Sequence, residues 1–166
     1  MKKNILILLT LFTLPAMLMA QTDWTNKSRV LPDKLRELPV GITMWHDPNP
    51  CYPELVNDTY YWKHSTFAMA QKEDLTVVVC GSFIWYDESG WHNNMSYSPD
   101  EFAKAFNCPN AILKKGRTYT YLKNWRFGKQ LYAGDALWYI IAKDKNGKLY
   151  KGIALIETET KVINTK

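Results

Sequence analysis

The stretch LTVVVCGSFIWY, residues 75–86, constrains the fold more than any other part of the chain. It is rich in β-branched and aromatic residues, and its oily side chains fall on both parities. Leu75, Val77, Val79, Phe83 and Trp85 share one, while Val78, Cys80 and Ile84 share the other. A strand that is apolar on both faces has to be covered on both faces, so these residues are predicted to form the central strand of a sheet. YYWKHSTFAMA, residues 60–70, precedes it across a Lys72-Glu73-Asp74 turn and is expected to pair with it as a hairpin. Residues 40–45 offer a short strand ahead of the proline-rich DPNPCYPE, and a DESG turn leads into a strand opening at Trp91. In residues 118–122, Tyr119 and Tyr121 alternate with Thr118, Thr120 and Leu122. The last hairpin is ALWYIIAKDKNGKLYKGIALIETE, where Asn146-Gly147 is expected to supply the positive φ angles of a tight turn.

Helix signals are few. In Ser98-Pro99-Asp100-Glu101 the serine oxygen can accept from the Glu101 N–H while the glutamate reaches back, and proline suits the first helical position. This capping box predicts a short helix through Phe106, ended by Asn107-Cys108-Pro109. LPDKLREL, near residues 32–38, offers one or two turns more. The expected class is all-β, an antiparallel β-sandwich with one short helix.

LYAGDALWY, residues 131–139, resembles the L-x-x-x-D-x-A-x-Y signature at the tyrosine corner of immunoglobulin-like sandwiches, with Leu131, Asp135 and Tyr139 in the matching places and Leu137 where alanine is usual. The resemblance implies that the Tyr139 hydroxyl ties back to backbone at a sheet corner, and that Trp91, eleven residues after Cys80, is the core tryptophan. Ile141 stands where the second inter-sheet cysteine would be, so that disulfide is absent. Such sandwiches host many functions, and the likeness implies a fold and no activity.

The first residues, MKKNILILLTLFTLPAMLMA, have a lysine pair, a short apolar stretch and a small residue, Ala20, at the position of signal-peptidase cleavage. They read as a secretory signal, residues 1–20, followed by a lead-in segment with loops at 21–58, a β-sandwich domain at 59–160 and a C-terminal tail at 161–166. The mature protein is expected to be exported, either periplasmic or secreted, with no transmembrane segment after cleavage. Lys2 and Lys3 leave with the signal, so the formal charge of +5 overstates how basic the mature surface is. Of the three cysteines, Cys80 belongs to the apolar run and is expected to be buried, whereas Cys51 and Cys108 sit in proline-flanked loops and are expected to pair as a disulfide.

The strongest functional signal is a segregation of charge. Between Phe102 and Gly134 there is no acid but seven basic residues, and KKGRTYTYLKNWRFGK interleaves the cations with rings. Lys115, Arg117, Tyr119, Tyr121, Lys123, Trp125, Arg126 and Lys129 are therefore the expected ligand-binding residues of a non-catalytic module. Stacking rings meet sugars while cations meet carboxylate or sulfate, so the expected partner is an anionic glycan or an acidic protein surface. Export argues against nucleic acid, and no cofactor is expected. One alternative is a copper-type metal protein using Met44, His46, His64 and His92. A second is a hydrolase built from carboxylates among Asp87, Glu88, Asp100, Glu101, Glu157 and Glu159. The chain has no nucleophile elbow, zinc-protease helix or phosphate loop, which weighs against an enzyme.

Overall fold

The computed structural model describes residues 30–85 and 90–163, and is built mainly from antiparallel strands. In chain order the elements are α1 (Asp33–Arg36), β1 (Ile42–Asp47), β2 (Pro53–Val56), β3 (Thr59–Trp62), β4 (Ser65–Ala70), β5 (Leu75–Trp85) and β6 (His92–Tyr97). There follow α2 (Pro99–Ala105), a single 3-10 turn (Pro109–Ala111), β7 (Ile112–Leu113), β8 (Thr118–Tyr121), β9 (Arg126–Gly128), β10 (Gly134–Lys143) and β11 (Leu149–Thr158). Residues 1–20, expected to be a secretory signal, and the DESG turn lie outside the described residues, apart from Gly90 at the end of that turn. Within them no helix is long and apolar enough to cross a membrane.

β5 is central, as its two-sided apolar pattern requires: β10 pairs along one edge and β6 and β7 along the other, with β11 outside β10. A second sheet runs β1-β4-β8 and a third, smaller one runs β2-β3-β9. The main core fills the space between the first two, with Ile42 and Met44 of β1 packed with Trp138, Ile140 and Ile156 of β10 and β11, and with Phe102 of α2 and Phe106 at its C-cap. The opposite face of β5 and β10 carries a second cluster of Phe83, Leu137, Tyr139 and Ile141, roofed by Leu35 of α1. Lys151 is buried there because its Nζ donates to the Leu35 and Arg36 carbonyls at the end of α1. The capping box of α2 forms as written in its residues.

Several expectations are corrected. β4 and β5 do not form a hairpin. Residues 60–70 break at Lys63-His64 into two strands of different sheets, and residues 71–74 carry the chain across to the five-stranded sheet, where Asp74 is held by the Lys114 ammonium and the Lys115 N–H. Strict alternation along β5 also fails. Ile141 opposes Val79 but Ala142 opposes Val77, so Val78 is a bulge, and the inward set becomes Leu75, Val77 and Cys80 while Val79 and Phe83 face α1. In the last hairpin only Gly147 takes a positive φ, and the loop spans residues 144–148, with the Asp144 carboxylate accepting from the Asn146 and Lys148 N–H groups.

Neither contact implied by the immunoglobulin-like resemblance is made. Tyr139 is buried in the middle of β10, and its hydroxyl accepts from Lys34 Nζ at 2.6 Å instead of tying to a corner. Trp91 stands at the margin, edge-on to Trp85 and donating to the Val30 carbonyl, while among the described residues Trp62 is fully buried and Trp138 nearly so. Finally, the Cys51–Cys108 disulfide is not formed, and all three cysteines are free and buried. Each loop turns inward on its own anchor. Cys51 is laced to β11 through the Glu157 carbonyl and Glu159 N–H with its Sγ donating to the Lys63 carbonyl, whereas Cys108 N–H closes α2 on the Ala103 carbonyl.

Candidate ligand-binding site

β8 decides what becomes of the basic, aromatic segment. Its alternation sends Tyr119 and Tyr121 inward, where Tyr121 packs against Tyr97, Phe106 and Trp138. Antiparallel pairing of Thr118 with Met69 and of Tyr121 with Thr66 then separates the flanks by the length of the strand. Lys115 and Arg117 lie at one end, Lys115 exposed on the loop tied to Asp74 and Arg117 over the ring of Tyr119. Lys123, Trp125, Arg126 and Lys129 lie at the other. The eight expected residues are thus not one patch, and the half containing Trp125 is the one that meets other chemistry.

At that end the small sheet forms an exposed ledge. Glu54, Tyr61 and Phe127 are opposed in register across β2, β3 and β9, and the Tyr61 and Phe127 rings lie 6.1 Å apart. Beside them Trp125, 39% exposed, has the Lys63 ammonium 5.3 Å and the Lys123 ammonium 5.9 Å from its ring. Lys63 also pairs with Glu54, and Lys129 Nζ donates to Thr59 Oγ1. Phe127 is 69% exposed. Rings and cations therefore lie near one another at this end of the molecule.

Behind the ledge is a cavity of about 680 Å³. Its floor is the end of the five-stranded sheet, with Ala136 and Trp138 of β10 and Ile156 and Thr158 of β11. Asn94 and Met95 of β6 wall one side, His64 lies at the β3–β4 break, and the chain from Asn124 to Ala133 arches over it. A second bulge helps to shape it: Ser82 opposes Met95 but Phe83 opposes Asn93, which leaves Asn94 extra, its amide donating to Ser82 Oγ.

Arg126 borders the cavity from β9 with its guanidinium 4.7 Å from the Trp62 ring and 4.3 Å from the Tyr132 ring. Its partners are neutral oxygens, Thr158 Oγ1 at 2.7 Å and the Tyr132 carbonyl at 3.2 Å. Burial lowers its pKa, opposed by the interaction with Tyr132. Sequence reasoning named Arg126 but missed Tyr132, Trp138, Asn94 and Thr158, whose only signal is their place on strands distant in sequence.

His46 and His64 come together with rings 5.5 Å apart, edge to face. Thr66 Oγ1 accepts from Asn124 Nδ2 at 2.7 Å, so its hydroxyl proton is free to donate to His46 Nδ1 at 2.9 Å. His46 Nε2–H then donates to the Ala154 carbonyl at 3.4 Å, which fixes the neutral tautomer. His64 is 6% exposed and neither ring nitrogen has a hydrogen-bond partner. Burial lowers both pKa values to about 4, assisted at His46 by the neighbouring His64.

The alternatives meet this geometry poorly. Met44 faces inward on β1 with His46, but both His46 nitrogens are taken, and His92 on β6 does not border the cavity that His64 borders. Among the described residues no three His, Cys, Asp or Glu side chains are grouped to hold a metal. For glycoside hydrolysis, Asp135 is the single carboxylic residue among the described residues around the cavity, where two facing carboxyls are needed. Asp100 and Glu101 serve the start of α2, and Asp87 and Glu88 lie outside the described residues. No protein-family model matches the chain, and no curated protein matches it in sequence.

Proposed function

We propose that this chain is an exported, non-catalytic binding module whose ledge engages an anionic glycan. The observation that carries this reading is the exposed Trp125 with two lysine ammoniums within 6 Å of its ring, on the same small sheet end as the Tyr61–Phe127 ring pair. An exposed tryptophan supplies a stacking face for a sugar ring, and Lys123 and Lys129 supply positive charge where sulfate or carboxylate groups would lie. The leader-like residues 1–20 support export.

The test is binding of a uronate-rich polysaccharide to the mature protein, followed by affinity electrophoresis across a salt series. Trp125→Ala should abolish retardation, and Lys123→Gln with Lys129→Gln should weaken it and flatten its salt dependence. Retardation unchanged in both variants, or seen only with an acidic polypeptide, would overturn the glycan reading.

A further inference from the structure

We infer that the cavity behind the ledge is a binding site for a small ring-bearing monocarboxylate, its carboxylate held by Arg126 and its ring packed against the aromatic lining. The inference deepens the reading of the ledge and rests on it, because Trp125 and Phe127 belong to both surfaces. Three observations carry it.

The first is an uncompensated charge. Arg126 is half-buried, and the partners of its guanidinium are one hydroxyl and one carbonyl. A charge withdrawn from water is costly unless a counter-charge meets it. Asp135 also borders the cavity, but no ion pair joins it to Arg126 and no carboxylate is among the groups that shift the Arg126 pKa. Alternation along β10 groups it with Leu137 and Tyr139 on the α1 side, opposite Ala136 and Trp138, and its neighbours across the sheet are Trp85 and Glu157.

The second is donor capacity. A guanidinium has five N–H donors in a planar fork, and Thr158 and Tyr132 occupy two, so three are left for an incoming group. A carboxylate is the planar monoanion that such a fork grips through two bonds. Arg126 is the only fixed cation among the described residues around the cavity, and His64 beside it is neutral at ordinary pH, so one negative charge is matched and the second charge of a phosphate group is not.

The third is size and lining. About 680 Å³ is the volume of a small-molecule site, far more than an inorganic anion fills. Trp125, Phe127, Tyr132 and Trp138 are among the lining residues, with Asn94 and Asn124, whose amide nitrogens are held by Ser82 and Thr66. A carboxylate on a sugar ring, such as a terminal uronate of the glycan on the ledge, and a carboxylate on an aromatic ring share the chemistry that these walls recognise.

Titration calorimetry on the mature protein distinguishes the sources with three probes: an oligosaccharide ending in glucuronate, its glucose-ended counterpart, and 2-naphthoate. The expected result is that at least one acid binds and the neutral sugar binds roughly thirtyfold or more weakly, with Arg126→Gln losing the acid to the same extent and Arg126→Lys recovering part of it. Tryptophan emission should shift on binding even in Trp125→Phe, since Trp138 lines the floor. If Arg126→Gln does not fold, the comparison of acidic with neutral probe on the unmodified protein decides. Equal affinity for acid and neutral sugar, or a folded Arg126→Gln variant that binds the acid normally, would overturn the inference. Polysaccharide retardation that still depends on Trp125 would in that case leave the ledge reading standing, and loss of both would remove the two together.

Discussion

Among single residues, the buried histidine pair has the most exacting environment. His46 is held as the neutral imidazole chiefly by burial, with Nδ1 bonded to the Thr66 hydroxyl and Nε2–H donating to the Ala154 carbonyl. In the unfolded chain each imidazole titrates near 6.5, and in the fold near 4. Above 6.5 both states are neutral and full stability is present. As pH falls below 6.5 the unfolded chain takes up protons that the fold refuses, so stability drops until about 4. The loss is limited to roughly 3 kcal/mol per histidine, at about 1.4 kcal/mol per pKa unit. Urea denaturation at a series of pH values should show this decline, and His46→Gln should make it shallower. A flat profile would mean that the pair is hydrated. Thr66→Val keeps the shape of the side chain but orphans His46 Nδ1 and the Asn124 amide together, with an expected cost of roughly 2 kcal/mol in the same measurement.

At the scale of elements, the joint between the two larger sheets is a close approach of backbones. Gly41 N–H donates to the Lys151 carbonyl and Lys151 N–H to the Pro39 carbonyl, while a methyl group on Gly152 would lie 2.7 Å from Ile42 Cβ and 3.1 Å from its carbonyl oxygen. Gly152→Ala therefore pushes β1 off β11, with an expected loss of roughly 1–3 kcal/mol by thermal denaturation. Ser98→Ala at the start of α2 should cost roughly 1 kcal/mol, because only the cap is lost. Signals of short range were readable before any coordinates: the capping box, the central position of β5 and the pairing of β10 with β11 all depend on a few adjacent residues. The Val78 bulge was not, since either parity of that run is oily and only the neighbour on β10 decides which valine is left unpaired. Nor was the break at Lys63-His64, where a continuous strand-like pattern is divided between sheets by contacts with β1 and β9.

For the whole molecule, the site assembles from strands far apart in the chain, which explains how little of it could be read locally. Arg126 and Trp125 were visible because cations and rings alternate around them, but the walls facing them come from β6, β10 and β11. The same long-range packing decides the state of the cysteines, which loop composition alone misassigned. Cys51, Cys80 and Cys108 are all members of the main core. Burial raises the thiol pKa of Cys51 to about 11, with the Glu54 carboxylate adding to it; burial also raises Cys108 to about 11 against the pull of Arg117, and raises Cys80 further. Thiolate is the reactive form, so a folded molecule should be nearly inert to a thiol reagent at pH 8. Treating the native protein with a mild oxidant, then unfolding it without reductant and titrating thiols, should give all three. A single reactive thiol would mean that two of them had joined, and because Cys51 and Cys108 are anchored on different parts of the core, that bridge would require the packing around Trp62 and α2 to open first.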